Sequence, residues 1–385
     1  MIIRLILNLI FLFSAILFSQ NRYIDEVFDN IYIEQDVVYG NAPDLPFVFI
    51  VESNTVDIDL DMDMYFPEND TEINRPVIVV IHGGAFFSGD NNLDDVTALS
   101  ISAAKRGYVV ANINYRLGLN ILDGSTGERA VYRAMQDGSA AIRYLREFHT
   151  QYGIDPEKIF MWGTSAGSFV ALHLAYTDDN DRLNSTYGSF GIPDLGCLDC
   201  EGNTYAHDSR PNAIISCWGA IGDLDWIDAD DFVPSLMFHG TADPIVPFGA
   251  GLPFTLMITL PIVYGSNVIS ERLDEYNIPN TLIAEEGQLH EYWGVVNGNF
   301  IGGTPSEYWL PILSTGFEFL YSQFSEIISG DINNDQEVNI LDVVILVNMI
   351  LGIENYNNSA DINNDSLINI LDVVVLVNEI LGSNY

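Results

Sequence analysis

Positive charge is scarce in this sequence of 385 residues, where 14 Lys and Arg face 54 Asp and Glu for a net charge of −40 at pH 7. A surface this negative repels polyphosphates at long range, which excludes nucleic acid and anionic membranes as partners. Cysteine is scarcer, with three in all. That excludes a four-thiolate zinc cage and a disulfide-dense scaffold. Long apolar runs are missing as well, apart from residues 5–18. Spanning a bilayer takes about 20 apolar residues, whereas the core of a secretory signal takes about 7–15. Preceded by Arg4 and followed by Ser19 and Gln20, the run reads as a signal peptide over residues 1–20. The expectation is a secreted chain, free or associated with a cell surface, whose mature form has no membrane span.

What is present describes a packed protein. Hydrophobic residues make up 48% and aromatics 12%, the supply that a disordered chain lacks. Cys197 and Cys200 form a CxxC in a loop rich in Gly, Pro and Asp, with Cys217 apart. A close disulfide that staples the loop fits better than a redox helix start, while a pairing of either residue with Cys217 stays open.

Residues 22–46 read as irregular. Apolar and acidic residues then alternate from Val56 to Tyr65, the period of a half-solvated antiparallel strand. Pro76–Ile81 is a continuous β-branched run of the kind buried on both faces of a parallel sheet. Helical and strand-like segments alternate from there to about residue 323, which specifies an α/β fold with a mostly parallel sheet covered on both faces. After Gly330 the composition changes. The 22-residue stretch that opens at Asp331 returns at Asp361, thirty residues on, so one unit is used twice. From Asp331 to the end there are nine Asp and Glu and no Lys or Arg. The expected division is 1–20 signal, 21–327 catalytic domain and 328–385 a small all-α module.

Gly163-Thr164-Ser165-Ala166-Gly167 joins an expected strand to an expected helix. Such a sharp reversal leaves no room for large side chains and pushes Ser165 Oγ out at the sheet edge, beside a helix N-terminus that favours negative charge. Upstream, His82-Gly83-Gly84-Ala85-Phe86 follows the buried strand, with small residues that let backbone N–H groups approach a carbonyl. Gly84, Ala85 and Ala166 are the expected oxyanion donors, and His82 orders the loop. A serine of this kind needs a base and an orienting carboxylate, in the chain order Ser, Asp, His. Asp243 and His290 both follow strand ends, where open α/β sheets bind ligands. His239 at a strand end is expected to support them, His173 to pack in its helix and His207 to be solvated. Asp223 and Asp225 are the weaker candidates for the acid.

These motifs, together with Asn114-Tyr115-Arg116-Leu117-Gly118 and the His239-to-Pro247 segment, resemble the secreted carboxylesterases of the α/β-hydrolase superfamily. The resemblance implies Ser165 as nucleophile, His290 as general base and acid, and Asp243 as its orienter. It requires no catalytic cofactor.

In the tail, side-chain oxygens recur at loop positions 1, 3, 5, 9 and 12: Asp331, Asn333, Asp335, Asn339 and Asp342, then Asp361, Asn363, Asp365, Asn369 and Asp372. With the carbonyls of Glu337 and Leu367 at position 7, these offsets wrap oxygen around a hard cation, expected to be two Ca2+ ions. Two such loops, each followed by a short helix, resemble a type I dockerin. That likeness implies a cohesin-like partner and, through it, action on polysaccharide esters such as acetyl or feruloyl groups. The polar recognition pair usual at positions 10 and 11 is replaced by Ile340-Leu341 and Ile370-Leu371. Two other readings fit the sequence: a lipase-like esterase lidded by residues 249–263, and a non-catalytic adhesion protein on the hydrolase fold.

Overall fold

The computed structural model describes residues 21–45, 52–120, 122–254, 260–325, 328–333, 337–353, 358–363, 365 and 367–382. The expected signal peptide therefore lies outside the described residues. Of the described residues, those from 28 to 323 form one compact unit, and those from 324 to 382 form another together with 21–27.

The larger unit is built on an eight-stranded sheet. In chain order its strands are β1 (Ile31–Asp44), β2 (Val56–Pro67), β3 (Arg75–Ile81), β4 (Val109–Ile113), β5 (Ile154–Thr164), β6 (Ala213–Cys217), β7 (Ser235–Gly240) and β8 (Asn280–Glu285). Their spatial order is β1-β2-β4-β3-β5-β6-β7-β8. β1, β2 and β4 pair antiparallel, and every pairing from β4 to β8 is parallel. Val77 to Ile81 are wholly buried, as the unbroken β-branched run requires. The helices that cover the sheet are α1 (Asp94–Lys105), α2 (Gly127–Glu147), α3 (Ala166–Tyr176), α4 (Ser266–Tyr276) and α5 (Trp309–Ser322).

Two expectations about the edge of the sheet are corrected. Part of the segment read as irregular is the long strand β1, whose register shifts between Glu34 and Val37 and again between Val38 and Gly40. Each shift resets the period of two, so no alternation survives to be read. β2 is less solvated than its pattern suggests, because Met62, Asp63, Met64 and Tyr65 are all buried. Asp63 compensates by accepting the Asp36 N–H.

Buried arginines on α2 hold the long segment between α3 and β6. Arg129 donates to the carbonyls of Ser185 and Pro193, Arg143 to those of Glu201 and Asn203, and Arg146 to those of Asp208 and Arg210. A loop with few sheet partners of its own thus has its backbone acceptors satisfied by guanidinium groups. Cys197 and Cys200 are disulfide-bonded within it, and Cys217 is a buried free thiol.

In the smaller unit, α6 (Ile340–Ile350) and α7 (Ile370–Gly382) pack around Ile332, Leu346, Met349, Ile362 and Leu376. No helix among the described residues is long and apolar enough to cross a membrane.

Candidate active site

Ser165 stands between β5 and α3 with φ 51° and ψ −114°, a left-handed backbone that a serine adopts only under constraint. The constraint comes from crossing elements packed too closely for side chains. A Cβ on Gly163 would lie 2.3 Å from the Gly167 backbone, and one on Gly167 would lie 2.1 Å from the Ile81 carbonyl oxygen.

His290 and Asp243 come to this serine from the ends of β8 and β7. His290 Nε2 lies 2.9 Å from Ser165 Oγ, and His290 Nδ1 lies 2.6 Å from Asp243 Oδ2. The other carboxylate oxygen, Asp243 Oδ1, accepts the N–H groups of Ile245 and Val246 at 2.8 and 3.0 Å. Burial opposes ionisation of Asp243, but donation from His239 and His290, the charge on His290 and the Ile245 N–H outweigh it. Its carboxyl is held well below the usual range. Because the Asp243 carboxylate can only accept, His290 Nδ1 carries a hydrogen and Nε2 faces the serine hydroxyl as an acceptor.

The segment expected to supply oxyanion donors is folded by its glycines. Gly84 has φ +113°, and a Cβ there would meet the Ser88 carbonyl oxygen at 1.9 Å. Ala85 and Ala166 line a cleft with Ser165, and among the described residues neither of their N–H groups has an acceptor in the chain. Gly84 is not part of that lining. Phe86 carbonyl oxygen accepts the N–H groups of Gly118 and Leu119, so the Asn114-to-Gly118 segment braces the loop. Arg116 anchors that brace in a buried pair with Asp137 at 2.7 Å. His82 bonds the Gly83 carbonyl at 2.6 Å and stacks on Tyr115. Burial takes its pKa down to about 4, so it orders the loop as a neutral ring.

The remaining candidates lie elsewhere. Asp223 caps a short turn by accepting the Asp225 N–H, and Asp225 faces Arg272 at 3.6 Å. His207 pairs with Glu147 near the surface. His173 is buried, bonded to the Phe169 carbonyl and to the Gly222 N–H.

A cleft opens beside Ser165. Its walls include Phe86, Met135, Phe169, Trp226, Phe254 and Leu260, and it holds about 990 Å³ of space including its open mouth. Phe169, His173 and Thr177 line one side, at the helical spacing that gives one face of α3 and its C-cap. That spacing was readable. Phe254 and Leu260 belong to the segment proposed as a lid, which a small sheet stitches on both sides, Val263 opposite Gly251 and Tyr264 opposite Ala250 and Ile221.

Similarity searches agree with this architecture. Esterase 2 of Thermogutta terrifontis phosphoramylated by tabun superposes with a TM-score of 0.53 at 20% identity, over 77% of this chain and 95% of that one. The fold is that of the α/β-hydrolases. Residues 62–196 of the hydrolase domain match the BD-FAE family model, and residues 329–381 match the Dockerin type I domain. Among curated proteins, human Neuroligin-2 is 38% identical over 121 residues, 30% of this chain and 14% of its own length. A probable isoprenylcysteine alpha-carbonyl methylesterase of Arabidopsis thaliana is 29% identical over 140 residues, 36% of this chain and 24% of its own. The chain thus spans less than a third of these two relatives. It joins a BD-FAE-like α/β-hydrolase domain to a type I dockerin domain.

In the dockerin domain the two repeats fold alike. Asp342 is fully buried, with Oδ1 accepting the N–H groups of Ile332 and Asn333 and Oδ2 that of Asn339. Asp372 does the same with Ile362, Asn363 and Asn369. Asn339 and Asn369 cap α6 and α7 through the Leu341 and Leu371 N–H groups. In the second loop, Asp361 and Asn363 both accept the Asp365 N–H, and Asp365 accepts that of Leu367. The carbonyls of Glu337 and Leu367 accept from the asparagine amides. Asp331 is buried, while Asp335 lies outside the described residues. No group of three His, Cys, Asp or Glu among the described residues is close enough to hold a metal by itself. The side chains expected as ligands carry oxygen alone, and the segment from Asp331 to the end has no Lys or Arg, a composition that suits a hard cation.

Proposed function

We propose that the chain is a secreted serine carboxylic-ester hydrolase working through an acyl-enzyme. The observation that carries this reading is the continuous contact from Asp243 through His290 to Ser165, at 2.6 and 2.9 Å. In the proposed cycle His290 Nε2 takes the proton of Ser165 Oγ as that oxygen attacks the ester carbonyl. The carbonyl π electrons move to oxygen, where the N–H groups of Ala85 and Ala166 stabilise the charge, with Gly84 shaping their loop. When the intermediate collapses, the bond to the alcohol oxygen breaks and His290 returns the proton to it. Water repeats the sequence on the acyl-enzyme and releases the acid. Asp243 stays ionised and holds the imidazolium in place.

The apolar cleft supports a bulky acyl group, such as feruloyl, over acetyl, because an acetyl methyl would leave most of the walls in contact with water. The dockerin domain supports a polysaccharide-linked ester and a cohesin-like partner. The proposed division keeps residues 21–327 for catalysis and 328–385 for docking. There Asp331, Asn333, Asp335, Glu337, Asn339 and Asp342 would hold one Ca2+, and Asp361, Asn363, Asp365, Leu367, Asn369 and Asp372 a second. Bound Ca2+ would neutralise the crowded carboxylates and fix the loops. A lipase-like reading draws on the same cleft. Hydrolysis of feruloyl, acetyl and long-chain nitrophenyl esters tests the choice: a preference for the aryl ester supports the proposal, and a preference for the long chain supports the lipase.

A further inference from the structure

Asp243 Oδ2 faces two imidazoles, because His239 Nε2 also approaches it, at 3.4 Å. His239 is the penultimate residue of β7 and has no solvent exposure, like the Asp243 side chain. Its Nε2 also lies 3.1 Å from the Val246 carbonyl oxygen, and its Nδ1 lies 2.8 Å from Ser266 Oγ at the start of α4. Carbonyl and carboxylate oxygens only accept, so both neighbours of Nε2 require a hydrogen there. In the tautomer with its one hydrogen on Nε2, Nδ1 accepts from the Ser266 hydroxyl. Ser266 is itself fully buried. The ring is fixed on its remaining side by Phe248, edge-on at 5.6 Å.

We infer that His239 is a positioning residue that acts through Asp243, holding its carboxylate toward His290 while drawing off part of its negative charge. This rests on the proposed triad. The Nε2–H bonds the Val246 carbonyl and passes 3.4 Å from Oδ2, where its positive end weakens the attraction of that oxygen for an imidazolium. His239 therefore loosens the hold that Asp243 exerts on a protonated His290. Two histidines of different duty share one carboxylate, the buried one with its tautomer set by Ser266 and the cleft-side one facing the nucleophile. Among the described residues, Glu291 beside His290, itself coupled to Asp95 of α1, also acts on this cluster. Both belong to elements that the His239 substitutions leave in place.

The test compares wild type, His239→Leu, His239→Gln and Ser266→Ala in the full-length protein, by the pH profile of kcat/KM on a nitrophenyl ester and by proton NMR of the His290 Nδ1–H. His239→Leu should lower kcat about tenfold and move the acid limb upward by about half a pH unit. Glutamine, which keeps a donor, should restore most of both. Ser266→Ala should shift the limb the same way by less, and it decides the matter if His239→Leu does not fold. The His290 resonance should move in every variant whose acid limb moves. A fall in kcat with an unmoved acid limb and an unmoved resonance would overturn the inference and leave His239 a packing residue. A wild type that hydrolyses no ester would instead defeat the proposed function, and the resonance would still report whether His239 acts on Asp243 and His290.

Discussion

His290 Nε2 and Ser165 Oγ lie 2.9 Å apart although 125 residues separate them in the chain. Nothing local brings them together. β5 delivers the serine and β8 the histidine, and the parallel sheet places both strand ends on one edge. The contact is therefore a property of the fold, and its chemistry should fail without unfolding when one atom is removed.

Ser165→Ala removes that atom. Because the residue sits at a constrained turn and contributes little packing, the variant should keep its circular dichroism and melting temperature within a few degrees. Its kcat should fall ~10⁴-fold or more. Steady-state hydrolysis of a nitrophenyl ester checks this, and retention of a tenth of the activity would exclude Ser165 as nucleophile.

Trp226→Ala removes part of the cleft wall. An aryl acyl group should lose stacking area and an acetyl group nothing, so kcat/KM should drop about tenfold for the feruloyl ester and change little for the acetyl ester. Equal losses on both substrates would mean that the acyl group does not occupy this cleft.

Asp95 carries a pH dependence of stability. Burial first, then the charge of Glu291, push its carboxyl well above 3.8, so the folded state binds a proton that the unfolded state has released. Stability from this group is complete below the unfolded value and falls as pH rises toward the folded one. Asp95→Asn should therefore melt at the wild-type temperature near pH 4 and several degrees higher at pH 7. Thermal denaturation at the two pH values decides, and an equal shift at both would refute the assignment.

The dockerin domain should answer to calcium alone. Asp342→Ala with Asp372→Ala removes the one buried carboxylate that gathers each loop. In the full-length protein calorimetry should then show calcium binding lost, while ester hydrolysis stays at the wild-type rate with or without chelator. Binding of millimolar calcium by the double variant would contradict the ligand set.

Much of this was legible because the relevant residues carry rigid local signals. The buried run Val77–Ile81, the small residues around Ser165 and the thirty-residue repeat each have few alternative structures. The edge strand β1 was not legible, since its two register shifts erase the period that marks a strand. The cleft was half hidden for another reason. Its α3 face shows in the spacing of Phe169, His173 and Thr177, but Trp226 and Phe254 arrive on loops whose course depends on tertiary contacts. His239 illustrates the same limit. Its place at a strand end was readable, while its approach to Asp243 Oδ2 depends on a turn that carries Asp243 back toward the sheet.

The measurement closest to the central claim is covalent. Incubating the protein with paraoxon and locating the adduct by mass spectrometry of peptides asks which oxygen is activated. One diethylphosphoryl group on the peptide bearing Ser165, formed far more slowly in His290→Ala, is the predicted result. A protein that hydrolyses esters but carries no adduct, or carries it on another residue, would contradict the account.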